Sequence, residues 1–312
     1  MSLYPLPQET TAEVWTRIPE GFCILDRVSD WTRSNRPGQT LHSFLEGPCF
    51  DSAGNLWVVD IPYCRVFRIS PAAEWTLVAE YDGWPNGLKI HPDGRVFIAD
   101  YKNGIMELDP ESGKVTPVVT TRYAEHFRGC NDLTLDRAGR LLYFTDQGQS
   151  ALHMPNGRVY RYDLETGKLD LLIDTCPSPN GLVLNAAENL LYVGMTRANA
   201  VWHILLMPDG GISKAGIFLQ LSGGIGPDGL TIDEDDGLIV AHVGMGSVWS
   251  FSRLGEPAWR IRSPLDQGAG LLTTNVAFGG PDHRRLFITE SASGSILTAD
   301  LPVPGRRLLP EA

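Results

Sequence analysis

Six segments of this chain can be laid over one another. They are EGPCFDSAGNLWVVD from Glu46, NGLKIHPDGRVFIAD from Asn86, NDLTLDRAGRLLYFTD from Asn131, NGLVLNAAENLLYVG from Asn180, DGLTIDEDDGLIVAH from Asp228 and TNVAFGGPDHRRLFITE from Thr274. Their first residues are 40, 45, 49, 48 and 46 apart. A period in the range of roughly 20 to 50 residues marks a chain built from one supersecondary unit, and it restricts the possible folds more than any single motif does.

Within each segment an alternating apolar run leads through a turn such as SAGN, PDGR or RAGR into a more continuous apolar run, the pattern of a β-hairpin. Weaker strands follow (CRVFRIS, NGIMELD, GRVYRYD, GSVWSFS), and then a fourth, as in WTLVAEY and LDLLIDT. Four strands per repeat match one propeller blade, so the expected fold is an all-β, six-bladed propeller with four-stranded antiparallel blades around a central channel. A (β/α) barrel would need helices of about 10 to 15 residues between strands, and no sustained 3.6-residue periodicity supplies them. The 33 Gly and 22 Pro are spread along the whole chain, which favours one domain over residues 1–312 rather than two joined by a linker. Residues before Glu46, including VWTRI and FCILDR, are expected to add strands to the last blade and close the ring.

Charge and cysteine content narrow the class. The formal charge, 26 minus 37, is −11, and no run of Lys or Arg could track a phosphate backbone, so no nucleic-acid partner is expected. MSLYPLPQETTAEVW has neither a basic nor an apolar leader region, and no stretch of about 18 apolar residues occurs, so no membrane partner is expected. Five cysteines without C-x-x-C spacing fit a reducing, cytoplasmic location better than a disulfide framework or a zinc site. His91 and His283 fall in hairpin turns and are expected at the surface. No G-x-S-x-G elbow occurs, and the GGIG and GMG clusters do not stand between a strand and a helix.

The innermost strand of each blade lines the axis, so the equivalent first residues should form one ring: Glu46, Asn86, Asn131, Asn180, Asp228 and Thr274. Every one carries a side-chain oxygen. Asn and Asp before Gly are also ordinary turn residues, but two carboxylates held close in a narrow channel call for a compensating cation or proton. An all-oxygen set suits a hard divalent cation, most naturally Ca²⁺, while ligand type alone leaves Mg²⁺, Mn²⁺, Zn²⁺ and Fe²⁺ open. Second-strand ends and the loops beyond them return to the same face. They bring Asp60, Tyr63, Asp100, Tyr101, Asp146, Gln149, His153, Thr196, Arg197, His242 and Glu290 toward a pocket above the ring.

LEGPCFD, CNDLTLD, PNGLVL and GPDGLTID, in that order and at blade spacing, resemble the senescence marker protein, gluconolactonase and luciferin-regenerating enzyme family. The likeness runs over nearly all of residues 40–300, and YFTD places the chain nearest the bacterial lactonase type. The resemblance implies a single divalent cation held by Glu46, Asn180 and Asp228. It implies that Asn131 touches the metal or binds substrate, and that Asp132 is the neighbouring acid. Some such lactonases have Ser after the metal-binding Asp, where this chain has Gly229. Arg128 stands near the place of a substrate-binding Arg in sugar-lactone members.

The expected activity is metal-assisted opening of a small lactone, the cation polarising the carbonyl and Asp132 activating water. Asp132 can equally be a structural acid satisfying strand-end amides. Substrate contacts are expected from Asn131, Asn86, Tyr101 and Asp146, with Trp84, Tyr63 and Tyr101 giving the rim a less polar character. A phosphotriesterase using the same site is the competing enzyme reading. A non-catalytic binding propeller would instead require an apolar rim patch and no buried charged ring.

Overall fold

The structure is a computed structural model, and it describes residues 6–307; residues 1–5 and 308–312 of the expected domain lie outside them. Six four-stranded units surround an axis. Their innermost strands are Leu45–Phe50, Pro85–Ile90, Cys130–Leu135, Pro179–Leu184, Gly226–Ile232 and Thr273–Gly279, each packed on its neighbours, with the sixth returning to the first. In every unit the innermost strand pairs antiparallel with the one after it, and the order continues outward.

Burial follows this radial order. Leu56–Asp60, the second strand of the first blade, is buried at every residue, whereas its outermost strand, Trp75–Glu80, is largely exposed or half-buried. The core is divided into six apolar clusters, one between each pair of adjacent blades. Val59, Val66, Leu88 and Ile98 join the first two blades, and Phe287, Ile296, Leu45 and Leu56 join the sixth to the first. Between the second and third blades the Phe144 and Tyr160 rings stack with centroids 5.2 Å apart. Because each blade buries both faces against its neighbours, no blade is stable without the ring.

Closure is made as expected by VWTR. Glu13–Arg17 pairs antiparallel with Ser295–Asp300 and supplies the fourth strand of the sixth blade. Two details differ from expectation. Gln8–Thr11 adds to the fifth blade instead, parallel to Trp259–Arg262. FCILDR forms no strand in either blade; it leads into a loop ending near Phe44, which carries one short helix, Asp30–Asn35, capped by the Ser29 hydroxyl on Thr32 N (3.1 Å). The loop's ends meet where Ile24 N donates to His42 O (3.1 Å).

That helix packs on the Ile61–Tyr63 turn, on the face where the innermost strands begin. The loop therefore lies at the channel mouth. Tyr63, expected on the pocket rim, is 2% exposed; its hydroxyl lies within hydrogen-bonding reach of Ile24 O, Arg27 O and Leu41 O and pins both arms of the loop. His91 also differs from expectation. Its side chain is 13% exposed, and its Nε2 lies 2.8 Å from Gly139 O in the next blade's turn. His283 is likewise half-buried. All five cysteines are free, and no described helix is long and apolar enough to cross a membrane.

Candidate active site

Each of the six innermost strands carries a register shift at its ring residue: between Glu46 and Cys49, Pro85 and Gly87, Cys130 and Leu133, Pro179 and Leu182, Pro227 and Leu230, and Thr273 and Asn275. A bulge re-aims side chains that a regular strand would point to alternate faces, and such bulges concentrate beside active sites. Here the bulge brings the residue after the ring position close to the next blade.

That following position reads Gly47, Gly87, Asp132, Gly181, Gly229 and Asn275 around the ring. The glycines are imposed by close approach. A Cβ on Gly181 would lie 2.4 Å from Asp228 O, one on Gly87 2.4 Å from Asp132 Oδ1, and one on Gly229 1.9 Å from Asn275 Oδ1. Only the third and sixth blades, opposite each other, carry side chains there. Asn275 Nδ2 donates to Glu46 Oε2 (2.8 Å) and points toward Asp132 Oδ2 at 3.5 Å.

Asn275 was missed in the sequence because Thr274 was aligned as the ring residue. Thr274 in fact braces the first blade: its Oγ1 lies 2.8 Å from Ser291 Oγ and 3.4 Å from Leu45 O. The column of glycines one position further along was the signal that would have singled out Asp132 and Asn275 together.

Glu46, Asn131, Asp132 and Asn180 are each 6% exposed or less, while Asn86 and Asp228 keep partial exposure toward the channel. Burial, aided by the Asp132 charge, raises the Glu46 carboxyl to about 7 against the hydrogen bonds from Gly47 N, Asn275 and Thr274. Asp228 is driven well above the usual carboxylate range by burial and by the charges of Glu46 and Asp132, against a hydrogen bond from Asn180. Burial also raises Asp132, opposed by Lys89, Leu133 N and Asn275. No salt bridge neutralises any of the three among the described residues. Nor do three His, Cys, Asp or Glu side chains there converge as a ready-made cage. The acids are interleaved with amide side chains, so any cation held here would take neutral oxygens beside the carboxylates.

The polar surroundings hold this arrangement. Asn180 Nδ2 donates to Thr196 Oγ1 (3.2 Å), and Thr196 donates to Pro227 O (2.8 Å), tying Asn180 to the residue before Asp228. Asn131 Nδ2 donates to Gln147 Oε1 (3.2 Å), whose Nε2 donates to Ser178 Oγ (3.0 Å).

The acids at second-strand ends prove to be braces rather than pocket walls. Asp60, Asp100, Asp146 and Glu290 have no exposed surface. Asp100 Oδ1 accepts from Trp84, Lys102 and Asn103 amides, and Glu290 Oε1 from Leu272 N. Asp146 was expected to bind substrate; instead its Oδ1 accepts from Arg128 N (2.7 Å) and Gly129 N (2.8 Å) beneath the surface. His242 is also buried, its Nε2 3.0 Å from Gly223 O. Gln149, His153 and Arg197 are exposed. Tyr101 is half-buried over Gly129, and its hydroxyl donates to Gly148 O (2.6 Å) and accepts from Gln149 Nε2 (3.0 Å). Burial pushes that phenol up to about 12, so it stays protonated.

A six-bladed propeller whose axis gathers acids and amides at one end defines the class. The SMP-30/gluconolactonase/LRE-like region matches residues 44–292, and the chain belongs to that family. A relative called lactonase drp35, from Staphylococcus epidermidis, is 32% identical over 270 residues, 81% of this chain and 82% of its own. Its counterpart from Staphylococcus aureus strain MW2 is 32% identical over 272 residues, 81% of each chain. Among solved structures, a calcium-binding regucalcin from Agrobacterium tumefaciens superposes with TM-score 0.77 at 21% identity, over 96% of this chain and 98% of that one. A gluconolactonase from Xanthomonas campestris gives 0.72 at 20% identity, over 94% and 98%. At these identities the structures speak for the fold.

Proposed function

We propose that the protein is a metal-dependent lactonase, opening the ester bond of a small lactone at the channel mouth. The observation that carries this reading is the set Glu46, Asp132 and Asp228, gathered at the axis beside Asn180 with no salt bridge among the described residues, in a chain about one-third identical to lactonases. Three acids that each oppose ionisation of the others need a cation to be charged together. Glu46, Asn180 and Asp228 would hold it, and the all-oxygen set favours Ca²⁺. A bound cation supplies Lewis-acid polarisation of the lactone carbonyl.

The chain's own groups do the rest. Asp132 accepts the proton of the attacking water at a carboxylate oxygen, and later returns it to the ring oxygen that leaves as an alcohol. Asn275 holds Glu46 and faces Asp132 through its one amide nitrogen, fixing their orientation. Asn131 and Asn86 offer amide donors and acceptors to the lactone, and Tyr101 forms part of the rim. The buried acids speak against a purely scaffolding propeller. The test is metal analysis of the purified protein, followed by assays on a lactone panel and a phosphotriester in parallel with and without that metal. Turnover of lactones that disappears on chelation and returns with the metal is expected; turnover of the phosphotriester alone would replace this reading.

A further inference from the structure

Two arginines stand near the channel mouth without a salt bridge among the described residues. Arg36 follows the helix of the mouth loop, with its guanidinium carbon 5.3 Å from the centre of the Phe44 ring. Phe44 is two residues before Glu46 in the chain, at the entrance to the innermost strand that begins at Leu45. Trp31 packs against the same ring at 5.2 Å, and Tyr63 pins the loop, so the place of Arg36 is fixed by packing. Arg197 directly follows Thr196, the residue bonded to both Asn180 and Pro227 O.

Among the described residues neither guanidinium has a salt bridge or a hydrogen-bond partner, although the protein carries a net charge of −11. The charged groups acting on Arg36 are Asp228, which favours its charge, and Arg197, which opposes it; burial opposes it most. Two cations from separate elements, one beside the Phe44 ring and one next in chain to Thr196, each without a salt bridge, suit a carboxylate, which a guanidinium fork binds in two parallel hydrogen bonds.

We propose that Arg36 and Arg197 form an anion subsite above the acid ring, and that the preferred substrate is a lactone bearing a carboxylate outside the ester bond. This rests on the lactonase reading. The ring substituent would lie against the two guanidinium groups while the ester faces Asp132. The opened product is then a hydroxy dicarboxylate, and the reaction that supplies the substrate must leave an acid group beside the lactone.

The test compares two γ-lactones of the same ring, γ-butyrolactone carrying a γ-carboxylate and the neutral γ-valerolactone, on the purified metal-loaded protein. The charged lactone should have the higher kcat/KM, and Arg36→Gln and Arg197→Gln should each lower the charged-to-neutral ratio about tenfold or more, mainly through KM. A role in folding alone would lower both substrates together, and an unchanged ratio in both variants overturns the subsite. Arg197 is exposed, so its variant tests the idea even if Arg36→Gln loosens the loop. Calorimetry gives a second readout: α-hydroxyglutarate should bind more tightly than γ-hydroxybutyrate, and the difference should vanish in Arg197→Gln. Equal binding of the two acids by the unsubstituted protein also overturns it. If no lactone is opened at all, the lactonase reading fails, while the calorimetric comparison still decides the subsite.

Discussion

Asp132 and Asn275 occupy the same place in opposite blades. Each takes the amide of the following residue on its Oδ1 at 2.8 Å, Leu133 N for Asp132 and Val276 N for Asn275. Each donates its own amide to a threonine hydroxyl on the next strand, Thr145 at 3.1 Å and Thr289 at 2.9 Å. An acid in one blade and an amide in the other give the axis a polarity that the sixfold repeat does not have. Only one of the pair can take up a proton from water.

Asp132→Asn keeps the shape and the bond from Leu133 N while removing the base. Turnover is expected to fall by about 10²- to 10⁴-fold, the usual contribution of a positioned base, with bound metal unchanged by elemental analysis. Full activity in this variant would assign Asp132 to bracing alone.

Glu46→Gln and Asp228→Asn remove a negative charge from the set proposed to hold the cation. Calorimetric Ca²⁺ affinity should drop by more than the roughly 10- to 100-fold that loss of an outer hydrogen-bond partner costs. Stoichiometric, tight metal in either variant would remove that residue from the set.

The metal-free protein should lose stability as pH rises. Glu46 goes from 4.5 to about 7 on folding, so between those values the folded state binds more protons than the unfolded one. Its stabilising contribution is fully present below pH 4.5 and is lost as pH passes through about 7, and the raised Asp132 and Asp228 act in the same direction. Thermal unfolding in chelator should show the midpoint falling across this window. Excess Ca²⁺ should reverse the trend, because it binds the ionised forms. A midpoint that rises with pH in chelator would contradict it.

Gly229→Ser restores the residue that some lactonases have after the metal-binding Asp, but its Cβ would fall 1.9 Å from Asn275 Oδ1 and 2.7 Å from Asn275 Cα. Overpacking of this kind costs about 1–3 kcal/mol, measurable by denaturant unfolding. Gly229→Ser combined with Asn275→Gly should cost less than the sum of the two, since the contact is shared. Strict additivity would show that the two sites do not press on each other.

Asp60 anchors the mouth loop at two points: Oδ1 accepts from Phe44 N at 2.7 Å, and Oδ2 takes the Arg65 guanidinium, which also donates to Phe22 O at 2.8 Å. Asp60→Ala leaves Arg65 buried without its partner, a change that costs about 3–5 kcal/mol. Hydrogen exchange should show the loss concentrated in residues 22–44; protection there equal to that of the unsubstituted protein would refute the anchor.

The blades were legible because the hairpin repeats six times, and errors in any one segment were corrected by the other five. VWTR was read correctly as the closing strand for the same reason: an open ring leaves an unpaired edge. FCILDR was misread because it serves the mouth loop, where Phe22 packing on Phe67 and the Tyr63 hydroxyl meeting Ile24 O and Arg27 O replace strand pairing. Glu46, Asn180 and Asp228 stood out by type and place, but their burial could not be read from spacing. Asn275 was hidden by the register shift between Thr273 and Asn275, which defeats the period-two rule. Asp146 was misplaced because the same strand end can carry a group into a pocket or under it, and only the amides of Arg128 and Gly129 decide which.

The strand that closes the ring, Glu13–Arg17, leaves the ribosome long before its partner, Ser295–Asp300. During synthesis the first blade must wait with one flank bare until the last has been made, and Asn275 reaches Glu46 only when they meet. Asn275 is therefore the last part of the site to be supplied, and a chain interrupted before the sixth blade would lack the amide that holds Glu46.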